Sequence, residues 1–190
     1  MTARLCSLAA SMLLMLSLQG CFPVVAAGVG TGVMMAQDRR SNVSFIEDQK
    51  IEARISNLID KEFKLVMHVN VTSFNLKVLL SGEVPDEYTR AEIGKLVSTI
   101  EKVRSVNNEL VVSGNSTMVS RSNDSMITSS IKVRFLNDKN FKAEHVKVVT
   151  ENGTAFLLGI VNRAEADAAA EIASTTSGVK SVVKLFEYQD

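Results

Sequence analysis

The chain has no tryptophan, and in 190 residues only two prolines, two tyrosines, two histidines and two cysteines. Each scarcity removes a class of explanation. Both cysteines, Cys6 and Cys21, lie near the start, so the rest of the chain has no disulfide framework and no thiol chemistry. His68 and His145 have no Cys, His or carboxylate cluster at ligand spacing beside them, which speaks against a metal or an acid–base pair and for a structural role. No Gly-x-Ser-x-Gly elbow occurs, and Gly28, Gly30 and Gly32 precede no lysine-bearing helix start, so neither a hydrolase nucleophile nor a phosphate loop is expected. Twenty-one basic side chains balance 21 acidic ones, which excludes the global basic surface of a nucleic-acid binder. Phe63, Phe74, Phe135, Phe141 and Phe156 are scattered, as core or interface residues are, and form no base-stacking platform. Neither an enzyme nor a metalloprotein is expected.

The N-terminus is where the sequence says most. Arg4 supplies a positive charge, Leu5 to Leu18 is an uncharged apolar run, and Leu18-Gln19-Gly20-Cys21 follows. Gly20 gives a peptidase the small side chain it needs beside the scissile bond, and the Cys21 thiol is the nucleophile a diacylglyceryl transferase alkylates. The segment resembles a lipobox, with Gln19 bulkier than the commonest residue at its place. Residues 1–20 are therefore read as a signal peptide and 21–45 as a lipidated tether. The only prosthetic group expected is covalent diacylglycerol and an N-acyl chain on Cys21. An uncleaved membrane helix is the competing reading, because Leu5 to Ala36 carries no charge. Pro23 and the Gly-Ala-Val mix around it suit a flexible tether better. Phe22 rather than Asp after the cysteine points to the outer membrane and its periplasmic face.

The remaining chain is written twice. Residues 69–84 match 146–161 at an offset of 77: Val69, Val71, Leu80, Gly82 and Val84 fall on Val146, Val148, Leu157, Gly159 and Val161. Beyond Pro85 the offset becomes 76, and Leu96, Val103 and Val106 meet Ile172, Val179 and Val182. Each copy reads helix, strand, strand, helix, strand, an α+β pattern. Ile51, Ile55, Leu58 and Ile59 recur at helical spacing with Asp48 as the expected cap, and Asp124 is the expected cap of the equivalent helix in the second copy. Turns are expected at Asn75-Leu76, with Asn75 taking positive φ, and at Asn152-Gly153, between strands read as alternating. Glu83, Asp86 and Glu87 are read as favouring the dipole of the helix that follows. The units span 46–113 and 124–190, with polar residues 114–123 as linker.

This arrangement resembles tandem BON domains, each with a three-stranded mixed sheet and two helices. The resemblance rests on Val78 to Gly82, on Phe156 to Gly159 and on Gly178-Val179-Lys180-Ser181-Val182. Together with the lipobox, the whole chain is similar to dual-BON outer-membrane lipoproteins. The first copy departs from the pattern, with Leu76 in place of the hairpin glycine and Lys102 in place of the glycine before Val103. The resemblance implies a periplasmic location, no catalysis, anionic phospholipid binding through the second domain and a role in envelope integrity.

The residues point the same way. In the first copy's leading helix only one face is apolar. In the second, Ile127, Ile131 and Phe135 take the core positions, yet Met126, Val133 and Leu136 are apolar too and lie opposite them. Lys132 and Arg134 flank this second face, and Lys139, Phe141 and Lys142 follow, while Arg121 and Lys147 add to the local positive charge. Met126, Lys132, Val133, Leu136, Phe141 and Lys142 are therefore the expected contacts to an anionic phospholipid membrane, made by a monomer. The alternatives are that this face packs against the first domain, or that it docks an envelope assembly or division protein. As an adaptor the chain could also offer the strand edge Val106 to Val112 to such a partner.

Overall fold

Among the described residues the elements run helix, strand, strand, helix, strand twice over, as the repeat requires, with one short 3-10 turn added in the second copy. A computed structural model describes residues 38–63, 68–139 and 142–189. Cys21, the signal, most of the tether and Phe141 lie outside the described residues. The first repeat holds α1 (Asn42–Phe63), β1 (His68–Phe74), β2 (Lys77–Val84), α2 (Glu87–Ser98) and β3 (Ser105–Val112). The second holds α3 (Met118–Asn137), a 3-10 turn (Ala143–His145), β4 (Val146–Glu151), β5 (Thr154–Val161), α4 (Arg163–Ser174) and β6 (Ser181–Tyr188). Each sheet has its middle strand antiparallel to the preceding strand and parallel to the following one, in the orders β1-β2-β3 and β4-β5-β6. The connections dictate this. A two-residue turn can only reverse the chain, whereas α2 and α4 are long enough to carry it back for a parallel pairing.

Isoleucines spaced four apart put one face of α1 on its sheet, where Ile51, Ile55 and Ile59 meet Val78, Leu80, Ile93 and Val97. In the second repeat Ile127, Ile131 and Phe135 meet Val148, Leu157, Ala166 and Ala169. The repeat glycines are steric necessities. A β-carbon on Gly82, whose φ is +116°, would stand 1.9 Å from the His68 carbonyl oxygen, and one on Gly159 would stand 2.5 Å from that of His145.

Four local expectations are corrected. First, α1 begins at Asn42, where Ser41 Oγ accepts from Ser44 N, and α3 begins at Met118, where Thr117 Oγ1 accepts from Ser120 N. Neither Asp48 nor Asp124 is a helix cap. Both are buried within their helices and hold the hairpin turns instead. Asp48 accepts from the N–H groups of Asn75 and Leu76 (each 2.8 Å) and from the Ser73 hydroxyl (2.6 Å). Asp124 accepts from Asn152 N (3.0 Å) and Gly153 N (2.8 Å). Second, α3 reaches back into residues 114–123. Third, Asn75 has the expected positive φ (51°) but Leu76 shares it (66°), and Lys102 stands at 70° where its counterpart Gly178 stands at 90°. The carboxylate beneath the turn compensates part of the cost of a leucine in that region. Fourth, Glu83 does not serve α2, whose cap is Asp86 accepting from Thr89 N.

The sheets also carry apolar side chains on the face away from their helices. Phe74, Leu79, Phe156 and Leu158 are buried together, with Val149, Ile160, Val183 and Leu185 around them. The strands therefore do not simply alternate. Val78-Leu79-Leu80 and Phe156-Leu157-Leu158 are unbroken apolar runs because β2 and β5 are covered on both faces. The two repeats pack sheet against sheet and belong to one compact unit.

Candidate functional site

The sheet-to-sheet contact decides what α3 is free to do. Met126, Val133 and Leu136 are 67%, 57% and 72% exposed, so they do not pack on the first domain. Packing there, weighed from the sequence, is excluded, since the sheets fill that role. Because the helix starts at Met118, the face is longer than the sequence suggested. Met118 and Val119 are exposed as well. At about 100° per residue, Met118, Val119, Met126, Val133 and Leu136 fall within an arc of about 100°. The arc is centred opposite Ile127, Ile131 and Phe135, which are buried. Small polar residues, Ser122, Ser129 and Ser130, fill the gaps, which leaves the aliphatic side chains standing above them. The first repeat has no counterpart. Outside its core stripe α1 exposes Gln49, Lys50, Ala53, Arg54, Asn57 and Asp60, with Val43 and Ile46 only near its start.

The basic surroundings are narrower than the sequence implied. Arg134 donates to the Ile172 carbonyl (2.6 Å) and to the hydroxyls of Thr176 (2.6 Å) and Thr175 (2.9 Å), so it caps the end of α4. Arg121 donates to the Ser116 carbonyl and contacts His68 Nδ1, and Lys147 pairs with Glu52 across the domain boundary (2.9 Å). Lys132, Lys139 and Lys142 remain exposed and without an ion pair among the described residues. All three lie on or just beyond the C-terminal half of α3.

Beside the apolar interdomain patch lies a polar one. Asn70 Nδ2 of the first domain donates to Glu151 Oε2 of the second (2.7 Å), and Asn152 Nδ2 of the second donates to Glu83 Oε1 of the first (2.9 Å). Burial pushes the Glu151 carboxyl above the usual carboxylate range. The Asn70 hydrogen bond and His68, 3.6 Å away, counter that rise, and the charges of Glu83 and Asp124 add to it. A cavity of about 470 Å³ opens here, lined among others by His68, Asn70, Arg121, Ser125 and Glu151. His145 is the repeat equivalent of His68 and likewise sits 3.6 Å from a buried glutamate, Glu165. Neither histidine has a partner set suited to catalysis, and among the described residues no group of His, Cys, Asp and Glu could hold a metal ion. Nor is any helix among them long and apolar enough to cross a membrane.

Sequence reasoning missed the junction at Arg39 and Arg40. The Arg39 guanidinium grips Glu165 with both nitrogens (2.6 and 2.8 Å) and also donates to the Ile160 carbonyl (2.9 Å). This grip holds the Glu165 carboxyl below the usual range against its burial. Arg40 donates to Asp48 (2.8 Å) and Asp38 and lies 4.3 Å from the centre of the Phe74 ring. Nothing in sequence spacing links residue 39 to residue 165.

The BON domain profile matches residues 47–114 and again 123–190. Outer membrane lipoprotein DolP of Haemophilus influenzae is 39% identical over 175 residues, covering 91% of this chain and 91% of that protein. The 21 kDa hemolysin of Actinobacillus pleuropneumoniae is 36% identical over 153 residues, with coverage of 80% and 79%. Osmotically-inducible protein Y of Escherichia coli is 29% identical over 179 residues, with coverage of 84% and 89%. Like the first of these, this chain is a lipid-anchored protein of the outer membrane. Two matched repeats, two αββαβ units with the expected mixed sheets, and a relative aligned along nearly the whole of both chains lead to one conclusion: the chain belongs to the BON-domain family, as a dual-BON lipoprotein of the DolP type.

Proposed function

We propose that this protein is a non-enzymatic module, acylated at Cys21, whose second domain binds anionic phospholipid through the exposed face of α3 and thereby supports envelope integrity. One observation carries the reading. A stripe of five large apolar side chains stays exposed while the two sheets, and not α3, form the domain interface. A stripe of this size on a soluble surface marks an interaction site. The free lysines Lys132, Lys139 and Lys142 suit an anionic surface, at about 1 kcal/mol for each basic side chain near it. Partial burial of a few aliphatic side chains, each worth up to about 1.5–3 kcal/mol when fully buried, brings the contact to weak and reversible. That is enough for a protein already held nearby by its acyl chains.

The test uses the unlipidated fragment from Asp38 to Asp190 and vesicles containing phosphatidylglycerol, with neutral phosphatidylcholine vesicles as control. Val133→Asp with Leu136→Asp should reduce co-sedimentation with the anionic vesicles at least about tenfold, the equivalent of about 1.4 kcal/mol. Reversing Lys132 and Lys142 should weaken it and flatten its salt dependence. Binding unchanged by both pairs would end the membrane assignment. Crosslinking in cells from position 133 that traps one dominant protein would favour the adaptor reading instead.

A further inference from the structure

Arg39 and Arg40 are neighbours in the chain, yet each is committed to a different domain. Arg39 holds Glu165 and the Ile160 carbonyl of the second domain, and Arg40 holds Asp48 of the first. Arg40 also lies against Phe74, a member of the interdomain apolar cluster. These are strong contacts: a bidentate guanidinium–carboxylate fork, and a guanidinium between two carboxylates and an aromatic face. Glu165 and Asp48 are themselves buried, so both arginines end in rigid parts of the fold.

This junction has a definite place relative to α3. Glu165 lies 3.6 Å from His145, which ends the 3-10 turn Ala143–His145. That turn begins directly after Lys142, itself five residues beyond the last residue of α3, Asn137. Asp124 lies against the Asn152-Gly153 hairpin where β5 begins, whereas Arg39 meets Ile160 near the end of β5, so the chain enters the fold at the end of the second domain away from Asp124 and next to the turn that follows Lys142. Met118 is at the other end of a 20-residue helix, about 30 Å away.

We propose that Arg39 and Arg40 form a clamp that fixes the tether's entry point beside the C-terminal, lysine-bearing end of α3, so that the lipid anchor presents that end of the helix to the membrane first. The inference rests on the membrane reading above. Its physical basis is effective concentration. Only sixteen residues separate Cys21 from Asp38, so a short covalent link joins the acylated cysteine to the clamp. A folded unit of this size is about 40 Å across. With so short a link, the point where it joins biases which surface is held near the bilayer. Released from the clamp, the chain from residue 38 would swing and the anchored protein would lose its bias.

The experiment uses the mature lipidated protein in vesicles of phosphatidylethanolamine and phosphatidylglycerol. Spin labels are placed singly at Ser122→Cys and Asn137→Cys, exposed positions near the two ends of α3 that are not part of the aliphatic stripe. In the parent, the label at 137 should be immersed more deeply than the label at 122. In Arg39→Gln/Arg40→Gln the difference should collapse, with about a threefold to tenfold loss in the fraction of helix engaged. The unlipidated fragment carrying the same substitutions should bind the vesicles as its parent does. Should the double variant fold poorly, Arg39→Lys keeps the charge, breaks the fork and should narrow the gap in part. A gap between the two labels that persists unchanged in the variants overturns the clamp while leaving the membrane reading intact. If neither label is immersed in the parent and the fragment ignores anionic vesicles, the membrane reading fails and the clamp proposal with it.

Discussion

Replacing Asp124 by alanine should destabilise the second domain by about 3–5 kcal/mol, although the residue touches no ligand and caps no helix. The carboxylate is buried and each of its oxygens serves a different turn N–H, Asn152 at 3.0 Å and Gly153 at 2.8 Å. Hydrogen bonds to a charged group contribute about 1.5–3 kcal/mol each, and an amide left buried without a partner costs about 1–3 kcal/mol. Asn152 and Gly153 both have positive φ, and the turn so formed presents both amides to Asp124. Asp48→Ala should cost more. It strips the Ser73 hydroxyl as well as two amides, it frees Arg40, and it leaves Leu76 at positive φ without the compensating bonds. Asparagine at either site keeps one acceptor and turns a donor toward the other amide, so it should recover only part of the loss. Urea unfolding with linear extrapolation measures the cost, and amide hydrogen exchange at Asn152 and Gly153 reports whether those two groups are the ones exposed. An Asp124→Ala variant within about 1 kcal/mol of the parent, with both amides still protected, would refute the assignment of this residue to the turn.

Two further outcomes follow from the interface and the repeat. Burial raises the Glu151 carboxyl above its unfolded value, so the stability it contributes is fully present below the ordinary carboxylate range. It is lost as pH rises through the raised folded value. Glu151→Gln should therefore flatten the stability profile as pH rises above the ordinary carboxylate range, and a profile identical to the parent's would show that the group is not strained there. Gly82→Ala drives a β-carbon to 1.9 Å from the His68 carbonyl at a φ of +116°, and the strands must part to accept it. Thermal unfolding should show a loss of several kcal/mol, about 3 or more, larger than for Gly159→Ala, where the approach is 2.5 Å. Equal costs would mean that the backbone yields easily at this end of the sheet.

The sequence alone determined whatever depends on spacing along the chain. The repeat, the isoleucine stripes of α1 and α3, the turns at Asn75-Leu76 and Asn152-Gly153 and the second apolar face of α3 are all local periodicities, set by the geometry of one helix or one hairpin. The expectation of a lipobox at Cys21 rests likewise on linear spacing alone. Tertiary structure decided the partners of polar groups. Asp48 and Asp124 looked like helix caps because a capping residue and a turn-binding residue are the same chemistry at the same place. Only the fold shows that the amides within reach belong to a hairpin 28 residues further on. The same holds for charge: Arg121, Arg134 and Lys147 counted toward a basic surface until the fold gave them carbonyl, hydroxyl and carboxylate partners, leaving three lysines. The unbroken runs Val78-Leu79-Leu80 and Phe156-Leu157-Leu158 did carry a readable mark of strands covered on both sides. What covers them, and hence that α3 stays free, needed the second sheet to be in place. The junction at Arg39 and Arg40 was the least legible of all, since a contact across more than a hundred residues has no period to betray it.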